Sequence, residues 1–207
     1  MSAQLELVRP APMEIEPRAD HAVIARMIEP DTSVLDVGCG DGGLIALLAR
    51  DRRARARGLE RDKALVRLCV GRGLSVVQGD AERELADFPS GAFDTVVLSH
   101  TLQYLSKPRE VLRQAARVGD RVIVSIRNDA HWKARWRHLR DKAQPDWDQP
   151  GIVRACGVRS FAALAREMRF TIETAAPLNG DRVGAPFAKS LWLPNLFAEE
   201  AVFLLLP

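Results

Sequence analysis

From about residue 20 to residue 126, short aliphatic and β-branched runs alternate with stretches whose apolar positions recur at helical spacing. That alternation predicts βαβ units wound about a mostly parallel sheet. Strands are expected over residues 33–37, 54–60, 74–78, 93–99 and 121–126. The fourth, nearly all apolar, reads as a central strand buried on both faces. A helix over residues 21–28 sets Ala22, Val23, Ile24, Met27 and Ile28 at helical spacing, and Pro30-Asp31 ends it. Leu44, Ile45, Leu47 and Leu48 make a short amphipathic helix after Gly42-Gly43. Asp62 is placed to cap a helix that buries Leu65, Val66, Leu68 and Cys69, and Gly71 and Gly73 stop it. Pro108 suits the start of a helix carrying Val111, Leu112 and Ala115.

Beyond residue 127 the pattern changes. An Arg- and Trp-rich stretch, 131–142, leads into a Pro/Asp/Gly-rich loop through about residue 158. A helix over 160–168 and a strand over 170–175 resume the alternation, and the apolar run 201–206 reads as a last strand, antiparallel to the others. The fold class predicted is therefore α/β, a doubly wound, mostly parallel, seven-stranded Rossmann-like sheet. A flexible leader of residues 1–19 is expected before a single domain over 20–207.

Bulk properties narrow this without redirecting it. A chain of 207 residues has room for one full α/β domain and a modest elaboration. No apolar run approaches the roughly 20 residues that cross a bilayer, so no membrane partner is expected. Cys39, Cys69 and Cys156 are too widely spaced for a zinc site and odd in number for a disulfide framework, so reduced thiols are expected, and the first twenty residues show no apolar core of signal-peptide length, so a cytoplasmic location is expected. A net charge of +3 is too small to argue for nucleic acid on its own.

The chemistry concentrates at Val34-Leu-Asp-Val-Gly-Cys-Gly-Asp-Gly42, where a strand runs into glycines and then a helix. Glycine there permits positive φ and lets a ligand approach the backbone. Gly38, Gly40 and Gly43 also satisfy G-x-G-x-x-G, so the turn alone leaves dinucleotide and other nucleoside cofactors open. Three acidic positions, Asp36, Glu60 and Asp80, tip the choice. Glu60, at the end of the second strand and followed by Arg61, is placed to accept ribose hydroxyls. Asp80, followed by Ala81 after the third strand, can accept from an adenine amine. Asp36 and Asp41 flank the glycines around Cys39, where they repel a pyrophosphate and suit a cationic sulfonium with an ammonium-bearing tail. No Walker-type phosphate loop and no Gly-x-Ser-x-Gly elbow is present.

As a set, DVGCGDG, Glu60 and Gly79-Asp80-Ala81 resemble the first three motifs of class I S-adenosylmethionine-dependent methyltransferases. A narrower likeness spans most of the chain. RADHAVIARMIEPDTSVLDVGCGDG, FDTVVLSHTLQYLSKPREVLRQAARVGDRVIVSI, HWKARW and WLPNLFAEEAVFLL together resemble the methionine-biosynthesis protein W family. That resemblance implies a methyltransferase fold and S-adenosylmethionine as cofactor, with S-adenosylhomocysteine as product. It also implies an association with homoserine O-acetyltransferase. Asp36, Gly38, Cys39, Gly40, Asp41, Glu60, Arg61, Asp80, Ala81 and Ser99 are the expected cofactor contacts.

Catalytic residues are less defined, because the cofactor carries the reactive group. His100 and Tyr104 fall at the carboxyl edge of the fourth strand, where open α/β sheets bind ligands. His100 reads as a general base, a cofactor contact or, as is most common at such a position, a partly exposed loop histidine, and packing beside Leu102 and Leu105 also explains Tyr104. There is no Asn/Asp-Pro-Pro-Tyr/Phe segment and no Pro-Cys nucleophile, which leaves a small-molecule acceptor without a named atom. Trp132 and Trp136, among the basic residues of 131–142, suit a packed face or a protein partner better than nucleic acid. Three functions follow: a methyltransferase of methionine biosynthesis, a non-catalytic regulatory subunit of homoserine O-acetyltransferase, and, more weakly, an RNA methyltransferase.

Overall fold

Five of the predicted runs become parallel strands: β1 Ser33–Val37, β2 Arg55–Glu60, β3 Val76–Gln78, β4 Phe93–Ser99 and β5 Gly119–Arg127. The computed structural model describes residues 18–131, 156–187 and 192–207. The remaining strands are β6 Thr171–Asn179, β7 Arg182–Val183 and β8 Glu200–Leu206. All join one sheet in the order β3-β2-β1-β4-β5-β8-β6-β7. As expected, β8 runs antiparallel, here to both β5 and β6.

The sheet has eight strands where seven were expected. The extra one, β7, is two residues long and folds back on β6 through a turn in which Gly180 has φ +54°. Two residues are too few to show alternation. Strand β6 also runs to Asn179 rather than stopping near Ala175, because Pro177 and Leu178 pair with Ala201 and Glu200 of β8.

Helices cover both faces: α1 Ala19–Met27, α2 Gly43–Arg52, α3 Lys63–Gly71, α4 Ala81–Glu84, α5 Pro108–Val118, α6 Val158–Glu167 and α7 Trp192–Phe197. Side chains alternate across each strand, so the sheet separates two cores. On one face Val111 and Leu112 of α5 and Phe161 of α6 pack on Leu35, Val96, Val124 and Phe203. The rings of Phe161 and Phe203 lie 4.7 Å apart. On the other, Ile24 of α1 and Leu44 and Leu48 of α2 cover Val34, Val97, Ile123 and Val202. Helix α1 begins at Ala19, two residues before the expected start at residue 21.

Helix α3 departs from expectation. Asp62 caps it as predicted, accepting from the N–H groups of Ala64 and Leu65. Of its apolar residues, however, only Cys69 is buried, while Leu65, Val66 and Leu68 stay partly exposed. The cause is position: β3, at the sheet edge, has three residues and offers little area to cover. Residues 1–17, in the expected leader of residues 1–19, and the segment 132–155, with Trp132 and Trp136, lie outside the described residues.

Candidate cofactor-binding cleft

The parallel strands all end at one edge, and the glycine turn leaves β1 there. Gly38 donates its N–H to Leu59 and takes φ +74°, and a Cβ on it would stand 2.6 Å from Thr101 Oγ1. Gly40 takes φ +57°, and a Cβ there would meet nothing within 4 Å. The turn is therefore packed on its inner side and bare above Gly40.

Across this edge opens a cleft of about 470 Å³, lined by Gly38, Leu59, Glu60, Arg61, Asp80 and Ala81 on one side and by Arg18, Ser99, His100, Thr101, Tyr104 and Arg127 on the other. Eight of the twelve expected site residues, Gly38 among them, thus meet on its walls. Glu60 accepts the N–H of Gly40 and that of Asp62, each at 2.9 Å, which pins its carboxylate beside the turn. Asp80 caps α4 through the N–H of Glu82. Tyr104 is half exposed while Leu102 is fully buried, so of the two it is leucine that takes the packing role.

Four expected residues, Asp36, Cys39, Gly40 and Asp41, are not on the cleft walls. Cys39 points beneath the turn, where its sulfur fills the space left by Gly58, and burial pushes its thiol pKa up. Asp41 accepts from the N–H of Gly43 and holds Arg72 at 3.7 Å, a structural role within the turn. Asp36 is buried below the cleft. Its Oδ1 has no hydrogen-bond partner, and burial, reinforced by the negative charges of Asp20 and Glu60, drives its pKa up to about 7 against the pull of Arg18.

The far side rests on residues the sequence pattern did not single out. Asp20, fully buried at the start of α1, accepts from the hydroxyls of Ser99 at 2.6 Å and Ser125 at 2.8 Å, and Arg18 pairs with it at 3.1 Å. Arg18 also donates to Ser99. Burial acts to raise the Asp20 pKa, yet Arg18, His100, the Ser99 hydroxyl and His21 hold it below the ordinary value. Beside it, burial pushes His21 down to about 4. His100 has φ +50°, its N–H directed at Ser125, and its Nε2 lies 3.3 Å from Glu200 and 3.9 Å from Asp20. Ligand atoms of Asp20, His100 and Glu200 lie within 4.8 Å of one another. Asp20 Oδ2 already takes two hydroxyl protons, however, which leaves it poorly disposed to bind a cation.

The family model of the methionine biosynthesis protein MetW matches residues 18–205. The chain belongs to the MetW family. It is 34% identical over 139 residues to the bifunctional methionine biosynthesis protein MetXA/MetW of Rhodopirellula baltica, covering 63% of this chain and 21% of that one. It is 38% identical to the ribosomal protein L11 methyltransferase of Methylobacillus flagellatus over 49% of this chain and 35% of that one. The MetW chain thus spans well under half the length of these relatives. Among solved structures it resembles a possible histamine N-methyltransferase from Thermotoga maritima, with TM-score 0.67, 16% identity, and 90% and 86% of the two chains covered. A methyltransferase from Archaeoglobus fulgidus gives 0.64 at 16% identity over 91% and 93%. These likenesses establish the class I methyltransferase fold. Among the described residues no helix is long and apolar enough to cross a membrane.

Proposed function

We propose that this MetW protein binds S-adenosylmethionine in the cleft and transfers its methyl group to a small acceptor, within the cytoplasm. The observation that carries the reading is the meeting of Glu60 and Asp80 on one wall beside Gly38. Glu60 spends one N–H contact on each carboxylate oxygen, and each oxygen keeps a lone pair for a ribose hydroxyl. Asp80 follows β3, one strand farther out, where its carboxylate can accept from an adenine amine. The bare backbone above Gly40 gives room for the cofactor, and Asp36, a buried carboxyl with an unpartnered oxygen, fits a positively charged ligand end better than a pyrophosphate.

When bound, the cofactor supplies a methyl group on a sulfonium, ready for displacement. The chain's own task is then to align an acceptor and exclude water. Ser99, His100, Tyr104 and Arg127 form the wall available for that acceptor.

A second reading is a regulatory subunit of homoserine O-acetyltransferase that senses S-adenosylmethionine without chemistry. The Rhodopirellula relative favours it, because its name joins a MetXA part to a MetW part in one chain. Calorimetric titration with S-adenosylmethionine, S-adenosylhomocysteine and NAD, with Glu60→Ala as control, tests the shared core. Saturable adenosyl binding lost in the variant supports both readings, and no heat with a folded sample rejects both. Cofactor-sensitive co-purification with the acetyltransferase, without methyl transfer, would decide for the regulator.

A further inference from the structure

Among the groups that the cofactor reading does not use, the buried polar cluster under the far wall of the cleft carries the most. We propose that Glu200 and Asp20 hold the His100 imidazole with its proton on Nε2, leaving Nδ1 as the proton acceptor presented to the far end of the cleft. The acceptor is then a hydroxyl or an amine that gives up a proton as it is methylated. This rests on the methyl-transfer reading above.

The surroundings of Nε2 are anionic. That atom is buried and has no hydrogen-bond partner, while two carboxylates face it, Glu200 at 3.3 Å and Asp20 at 3.9 Å. A lone pair turned toward two anions is repelled, whereas an N–H is attracted, so the carboxylates select the Nε2–H tautomer. With Nε2 turned inward, Nδ1 is the ring nitrogen left for the cleft that His100 lines. Asp20 is itself held as an anion by Arg18, Ser99 and Ser125, so it keeps its charge beside the ring.

The backbone agrees. His100 adopts φ +50°, a conformation that non-glycine residues rarely take, and its N–H is anchored by both the carbonyl and the hydroxyl of Ser125. Ser125 also donates to Asp20, so the anchor of the His100 backbone and the anion beside its ring belong to one network. Glu200 reaches it from β8, opposite Arg127 in register. Glu200 and Asp20 are positioning residues. His100 is the group that meets the acceptor.

In the step this assigns, the acceptor's O–H or N–H bond breaks and its proton passes to Nδ1. A bond forms between the acceptor atom and the methyl carbon as the carbon–sulfur bond breaks, and that electron pair remains on sulfur. The imidazolium then returns its proton to water.

The test is the tautomer itself, read by long-range nitrogen–proton correlation on the 15N-labelled full chain at pH 8. The four histidines make the spectrum tractable, and His100→Gln assigns the signal. The expected result is a protonated Nε2 and an unprotonated Nδ1 for His100. In Glu200→Gln the two nitrogen shifts should move toward each other as the second tautomer becomes populated. A wild-type proton on Nδ1, or shifts unmoved in the variant, overturns the proposal. Should Glu200→Gln fail to fold, the wild-type assignment still decides the tautomer, and Glu200→Asp serves to weaken the same contact. Failure here leaves the calorimetric result for S-adenosylmethionine standing, and the reverse holds too, so the two ideas fall separately.

Discussion

Asp36→Asn should make the ligand-free protein more stable, and increasingly so as pH rises. The wild-type carboxyl is buried, has an unpartnered Oδ1 and titrates near 7, against an ordinary value of 3.8. A carboxyl raised in the folded state binds its proton more tightly there than in the unfolded chain. Its favourable contribution is complete below pH 3.8, and it is lost as pH climbs to 7. At pH 8 the loss amounts to about 4 kcal/mol as an upper bound, and about 2–3 kcal/mol of it falls between pH 5 and pH 8. Asparagine keeps the shape and removes the titration. Urea unfolding of both proteins at pH 5, 6, 7 and 8 isolates the effect, since every other group is common to the two. The stability difference should move in favour of the variant by about 2 kcal/mol or more across that range. A difference that is flat with pH, or that moves the other way, would refute the assignment of Asp36 as a neutral buried acid.

Three further outcomes follow from the same geometry. Titration of S-adenosylmethionine near pH 7, in two buffers of different ionisation heat, should show net proton release from wild type and much less from Asp36→Asn, because a cationic ligand favours the ionised carboxyl. Asn128→Ala should cost about 3 kcal/mol in thermal or chemical unfolding, since its amide donates to the carbonyls of Asn195 and Ala198 while its oxygen accepts from the N–H groups of Ala130 and Val158. Asp62→Ala should cost about 1 kcal/mol, the worth of a helix N-cap, with S-adenosylmethionine affinity little changed.

What the sequence made legible was local. The glycine turn, Glu60 and Asp80 each sit at the end of a strand whose apolar run announces it, so their meeting at one edge follows from parallel topology. Helix caps such as Asp62 and the Pro108 start were equally local. The far wall obeys no such rule. Asp20, Ser99, Ser125 and Glu200 come from α1, β4, β5 and β8, and Asp20 meets Ser125 across 105 positions. No periodicity encodes which polar residue of one element will face which of another. The placement of Cys39 beneath the turn escaped for a related reason: whether a side chain at a strand–helix turn points up or down depends on Gly58 of the neighbouring strand, which leaves it space.

That asymmetry bears on how such a site can work. The near wall is anchored largely by backbone groups, with Glu60 fixed by two N–H donors and Asp80 by one, so its shape follows from the fold itself. The far wall is anchored by side chains on one another. Arg18 and the two serines hold Asp20, Asp20 and Glu200 face His100, and Ser125 fixes the His100 backbone. A change at any one of these reaches the others within a contact or two, while β2 and β3 are untouched. Cofactor recognition and acceptor chemistry are thereby separable: substitutions at Glu60 should remove adenosyl binding without disturbing the histidine network, and those at Glu200 should alter the state of His100 while adenosyl binding persists. A single substitution that abolished both would show that the two walls form one cooperative unit, contrary to the division of contacts seen in the fold.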